Sequence, residues 1–213
     1  MKYNNPIIKG FNPDPSICRV GEDYYLVTSS FEFFPGVPIY HSKNLVNWEL
    51  INYCLTDEIQ LDLTDSRASG GIFAPTIRYH QGRFYMTTTN VLIRKNFIVY
   101  TDDIRGKWSQ PVWLEQTGID PSMLFEDGTC YYCSNGGDEK GGLIQLSEID
   151  PLTGAYIKKP VIICRGTGGI YPEAPHMYKL NGWYYLILAE GGTKYGHMVT
   201  AFRSKNPYGP YEG

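Results

Sequence analysis

A chain of 213 residues with 42% hydrophobic and 19% charged side chains can bury one substantial core, which excludes disordered and coiled-coil classes. A net charge of -3 with no basic patch gives no electrostatic reason to expect nucleic acid, and no stretch approaches the ~20 apolar residues of a membrane span. The 18 tyrosines, 23 glycines and 14 prolines break the sequence too often for long helices and fit many short strands between tight turns.

In chain order, the amino-terminal Met1-Lys2-Tyr3-Asn4-Asn5-Pro6 lacks the apolar stretch of a signal peptide. A first unit opens at Asp14-Pro15-Ser16-Ile17, turns at Gly21-Glu22-Asp23 and continues into the aromatic strand Tyr24-Tyr25-Leu26-Val27. A third strand, Pro38-Ile39-Tyr40-His41, leads through a polar turn ending at Trp48 into an outer strand, Glu49-Leu50-Ile51. The second unit repeats this order from Ala74-Pro75-Thr76-Ile77 through Phe84-Tyr85-Met86 and Phe97-Ile98-Val99-Tyr100 to Pro111-Val112-Trp113-Leu114. The third runs from Asp120-Pro121-Ser122-Met123 through Tyr131-Tyr132 and Leu143-Ile144-Gln145-Leu146 to Val161-Ile162-Ile163. The fourth begins at Glu173-Ala174-Pro175-His176-Met177, continues through Tyr184-Tyr185-Leu186-Ile187 and Met198-Val199-Thr200-Ala201, and reaches Tyr211-Glu212-Gly213 without an outer strand.

Four antiparallel strands per unit is the composition of a propeller blade. A β-sandwich or meander with coincidental turn motifs is the alternative, and the shared internal order of four copies argues against it. The predicted fold is therefore an all-β propeller with about four blades in residues 1–213, the fourth without its outer strand, as expected of the front part of a longer protein. The innermost strand of each blade lines the propeller axis, so Asp14, Ala74, Asp120 and Glu173 are predicted to converge there.

The five cysteines, at 18, 54, 130, 133 and 164, are an odd number. Cys130 and Cys133 form a C-x-x-C, but on a strand residues three apart point to opposite faces, so free buried thiols are expected rather than a metal or redox pair. With no signal peptide, these thiols point to a reducing, cytoplasmic location.

Three carboxylates in one aromatic-walled pocket suit hydrolysis of a glycosidic bond, in which an acid protonates the leaving oxygen and a base deprotonates water. Like charges in a partly dry site raise one another's pKa and keep the acid protonated. The competing reading is that each Asp-Pro-Ser only caps a turn.

Asn12-Pro13-Asp14-Pro15-Ser16, Gly70-Gly71-Ile72-Phe73-Ala74-Pro75, Gly118-Ile119-Asp120-Pro121-Ser122 and Tyr171-Pro172-Glu173-Ala174-Pro175-His176 closely resemble the motifs of glycoside hydrolase family 43, its β-xylosidases most of all. The resemblance spans the chain and implies a five-bladed β-propeller and an inverting mechanism. It makes Asp14 the general base, Asp120 the residue that orients and tunes the acid, and Glu173 the general acid. Phe31 and Phe73, beside Ala74, would wall the terminal-sugar subsite, with a core role the alternative for each; relatives more often carry Trp where Phe73 stands. Thr193, in Glu190-Gly191-Gly192-Thr193, matches a pocket-lining position, whereas His176 and His197 read as structural.

No cofactor is expected, although the complete family fold allows a divalent cation near the propeller axis. That fold also draws an arginine and, in some members, a histidine from a fifth blade, and its xylosidase-like members add a β-sandwich. The implied activity is release of terminal xylose from β-1,4-xylo-oligosaccharides. An α-L-arabinofuranosidase acting on arabinose-substituted oligosaccharides and a non-catalytic carbohydrate-binding fragment are the rivals. A protein-interaction propeller has no use for three axial carboxylates. The oligomeric state is open.

Overall fold

A computed structural model describes residues 3–136 and 142–213. Among these described residues fifteen strands run in chain order: β1 Ser16–Val20, β2 Asp23–Val27, β3 Gly36–Ser42, β4 Glu49–Leu55, β5 Thr76–His80, β6 Arg83–Asn90, β7 Lys95–Thr101, β8 Val112–Trp113, β9 Ile119–Glu126, β10 Thr129–Asn135, β11 Ile144–Ile149, β12 Tyr156–Cys164, β13 Glu173–Leu180, β14 Trp183–Glu190 and β15 Met198–Ser204. They form four meander sheets, β1-β2-β3-β4, β5-β6-β7-β8, β9-β10-β11-β12 and the three-stranded β13-β14-β15. The chain is thus all-β, and each sheet has the strand order of a propeller blade.

The first hairpin of every sheet closes on a two-residue turn. Gln81-Gly82, Asp127-Gly128 and Asn181-Gly182 have positive φ at both residues, whereas in Gly21-Glu22 only Gly21 does, at 61°. Those are the signatures of type I′ and type II′ turns, whose twist matches that of the flanking strands.

The chain divides into two compact units, one ending at Ile93 and taking in Phe97–Pro111, the other made of Arg94–Asn96 and Val112–Gly213. In the first unit, β1 lies against β5. Val27, Ile39, Leu55, Ile72, Ile77, Met86 and Phe97 fill the core there, all fully buried. In the second, β9 and β10 lie against β13, and Cys133, Leu146, Met177 and Tyr184 pack together. Ile144, Leu186, Leu188 and Phe202 extend that core. Each such side chain contributes about 1.5–3 kcal/mol of burial.

Outer strands depart most from the sequence expectation. β8 has two residues rather than four, because Pro111 has no N–H to offer the ladder. β12 is longer, starting at Tyr156, and its Lys158-Lys159-Pro160 run blunts an edge that would otherwise recruit another strand. All five cysteines are free, with Cys54, Cys130 and Cys133 buried. Burial pushes the Cys18 thiol up to about 12, with Arg78 pulling the other way.

Candidate active site

The repeated proline sits in a repeated β-bulge. In the third sheet Cys133 pairs with Ser122 and Asn135 with Ile119, so Asp120-Pro121 together face the single residue Ser134. In the fourth, His176 pairs with Ile187 and Glu173 with Ala189, so Ala174-Pro175 face Leu188. The first sheet does the same: β1 begins with Ser16 opposite Val27, and the Ser29 N–H then bonds the Pro13 carbonyl at 3.0 Å. In the second, Thr76 opposes Thr87, and the Phe73 N–H bonds the Thr89 carbonyl at 3.0 Å. Proline is well placed at a bulge, since the extra residue has no ladder partner for an N–H. A bulge also re-aims the side chain beside it, here Asp14, Ala74, Asp120 or Ala174 with Glu173 as its neighbour.

Three of these residues hold an unusual backbone: φ is 53° at Asp14, 54° at Asp120 and 48° at Ala174. A left-handed conformation at a non-glycine residue before proline costs about 1–3 kcal/mol and persists only where the surroundings enforce it.

In the first unit Asp14 is exposed, and one of its carboxyl oxygens accepts the Ser29 hydroxyl at 2.5 Å. Asn12, two residues earlier, accepts the Tyr40 hydroxyl at 2.7 Å, and burial raises that tyrosine's pKa, keeping it a donor. Phe31 and Ile72 exchange backbone bonds of 2.9 and 3.0 Å that clasp the first sheet to the second. Gly71 permits the clasp: a Cβ there would lie 2.4 Å from the Phe31 carbonyl oxygen, and φ is +79°. Phe31 and Phe73 are thereby brought together, ring centroids 5.6 Å apart and edge-to-face at 73°, a pairing worth about 0.5–1.5 kcal/mol beyond area. Phe11, 66% exposed, has its ring centroid 5.8 Å from that of Phe31. Phe31, Phe73 and Ala74 are each half-buried, so both rings keep accessible surface.

In the second unit Asp120 and Glu173 are half-buried. Gly118 leads into the Asp120 bulge at φ +101°, in space where a Cβ would overlap the Asn135 carbonyl. The Ser134 hydroxyl fastens the base of that turn by donating to the Thr117 carbonyl at 2.9 Å. Asn135, paired with Ile119 beside Asp120, donates its side-chain amide to the Pro172 carbonyl at 2.7 Å. One residue thus ties the Asp120 strand to the approach to Glu173. The Ser122 hydroxyl donates to the Pro175 carbonyl, locking the two bulges together. Thr193 is exposed, just after the point where Gly191 N–H bonds the Ile170 carbonyl at 2.9 Å. His176 is half-buried and stacks on Tyr178. The His197 ring nitrogen Nδ1 lies 2.9 Å from the Gly192 carbonyl.

The sequence reading passed over Ser29, Asn135 and Glu190. Glu190 is fully buried at the last of four alternating inward positions of β14; the run before it, Tyr184-Tyr185-Leu186-Ile187-Leu188-Ala189, is apolar throughout and carries no period-two signal. Among the described residues no group of three or more His, Cys, Asp or Glu side chains is placed to hold a metal.

The description of glycosyl hydrolases family 43 matches residues 3–213. The chain is 48% identical to a non-reducing end alpha-L-arabinofuranosidase of Bacteroides ovatus, across 99% of this chain and 40% of that protein. It is 43% identical to a beta-xylosidase of Bacillus subtilis, across 100% of this chain and 42% of the other. The crystal structure of a xylan beta-1,4-xylosidase from Bacillus halodurans superposes with a TM-score of 0.91 at 40% identity, covering 99% of this chain and 43% of that one. The chain therefore spans about two-fifths of the length of the relatives it matches. Four bulged antiparallel sheets, carboxylates at the bulges and these matches along the whole chain lead to one conclusion: the chain belongs to glycosyl hydrolases family 43.

Proposed function

We propose that this protein is an inverting exo-glycosidase that removes terminal xylose from β-1,4-xylo-oligosaccharides. The observation that carries the reading is the shared bulge, which presents a carboxylate from three of four sheets, at Asp14, Asp120 and Glu173. In this mechanism Asp14 takes a proton from water as the water oxygen bonds to the anomeric carbon. Glu173 gives its proton to the departing glycosidic oxygen, and Asp120 holds and tunes Glu173. The Ser29 hydroxyl fixes the rotamer of Asp14 through one oxygen. Phe31 and Phe73 supply apolar rings against which the C–H face of a pentose packs, and Ala74 and Thr193 complete the sugar contacts.

The protein's substrate is an oligosaccharide, and its ends distinguish the two activities named among its relatives. An α-L-arabinofuranosidase is the second reading, favoured by the 48% identity to the Bacteroides ovatus enzyme. Side-by-side turnover of nitrophenyl β-xyloside and nitrophenyl α-arabinofuranoside separates them: the xylosidase reading expects the xyloside to be the better substrate by kcat/KM, and the reverse order hands the protein to the second reading. Proton NMR of the first sugar released from the β-xyloside checks the mechanism. Initial α-xylose is expected, and initial β-xylose would mean retention and a nucleophile in place of Asp14.

A further inference from the structure

We infer that Glu190 is a positioning residue for Glu173, acting through the segment that runs into it; the inference rests on the reading of Glu173 as general acid. Glu190 occupies a core position. Tyr184, Leu186, Leu188 and Glu190 are the inward residues of β14, with exposures of 6%, 0%, 1% and 0%. Burying a carboxyl group is costly unless both oxygens are satisfied. Here both are, and by one residue: Thr167 donates its backbone N–H to Oε1 at 2.7 Å and its hydroxyl to Oε2 at 2.6 Å.

The segment is shaped around this carboxyl group. A Cβ on Gly166 would lie 1.7 Å from Oε1, so only glycine admits it. From Thr167 the chain passes Ile170, whose carbonyl accepts the Gly191 N–H, and Pro172, whose carbonyl accepts the Asn135 amide. Glu173 follows at once. Its cross-strand partner is Ala189, so neighbouring Glu190 projects from the opposite face of the sheet. Glu190 therefore cannot share the substrate side with Glu173, and its influence runs through residues 166–172.

Acid catalysis matters in proportion to how poor the leaving group is, and this provides a readout that loss of packing alone would not move. The test compares xylobiose, whose leaving sugar needs a proton, with 2,4-dinitrophenyl β-xyloside, whose phenolate does not. In the full-length protein Glu190→Ala is expected to lower kcat on xylobiose by about 10²-fold, the scale of an ångström's misplacement. On the dinitrophenyl substrate it should stay within about threefold, where no proton is required. Glu190→Gln keeps an acceptor for the Thr167 N–H and faces the hydroxyl with an amide, so it should restore most of the xylobiose rate. Thr167→Val, which removes only the hydroxyl bond, guards against a misfolded Glu190→Ala and should show a smaller loss with the same substrate selectivity. Equal losses on both substrates in Glu190→Ala and Thr167→Val would overturn the inference. Glu173→Ala is measured alongside: a xylobiose-selective loss there upholds the acid assignment whatever the Glu190 variants do, whereas normal xylobiose turnover removes that assignment and this inference with it.

Discussion

The first and second sheets open on the same bulge and use it differently. Asp14-Pro15 faces Thr28 in one, and Ala74-Pro75 faces Thr88 in the other. Thr88 donates its hydroxyl to the Phe73 carbonyl at 2.8 Å, whereas the Thr28 hydroxyl is buried without a hydrogen-bond partner. Asp14 has φ 53°, and Ala74 is absent from the positive-φ residues. The same contrast runs through the remaining sheets. Asp120 is left-handed, as is Ala174 beside Glu173, so positive φ occurs in the three sheets that bring a carboxylate and not in the one that does not. The bulge is common architecture; the left-handed dihedral accompanies the carboxylates. Strain of this kind clusters where a side chain must be held in an otherwise unfavourable direction.

That contrast can be broken at the residue supporting each bulge. Ser29→Ala removes the hydroxyl that holds Asp14, and a hydrogen bond worth about 1.4 kcal/mol in the transition state corresponds to about tenfold in turnover. Thr89→Ala, at the matching place beside Ala74, should leave kcat/KM within about twofold, since the bulge of the second sheet carries an alanine where the first carries Asp14. Steady-state kinetics of the pair check this; equal losses would mean that the hydroxyl row is structural in both sheets.

A smaller effect sharpens the backbone half of the comparison. Ala174→Gly relieves a left-handed alanine and should stabilise by roughly 1 kcal/mol, the strain less glycine's entropy. Ala74→Gly relieves nothing and should destabilise by about 0.5–1 kcal/mol. Thermal unfolding midpoints moving in opposite directions would support the distinction, and a shared direction would count against it.

Much of this was legible in the sequence because proline, paired turn residues and aromatic runs are local signals. They marked all four first hairpins, whereas Phe31 and Phe73, which lie edge-to-face in the fold, were named only through the family resemblance. The bulges were not legible. A bulge is a difference in register between two strands, and nothing in Asp120-Pro121 alone says that both face Ser134. β8 contracted to two residues because ladder pairing depends on partners as well as on apolar character. Glu190 was not legible, because the run from Tyr184 to Ala189 is apolar at every position and does not show which residues face inward. Its meaning depends on Thr167, which lies 23 residues away in sequence.

The most direct test of the account is kcat of Asp14→Asn in the full-length protein, measured with its unfolding midpoint. The substitution keeps the side chain's shape and its bond from Ser29 while removing the base. The account predicts a fall of about 10²–10⁴-fold with the midpoint unchanged; turnover close to that of the unaltered protein would contradict it.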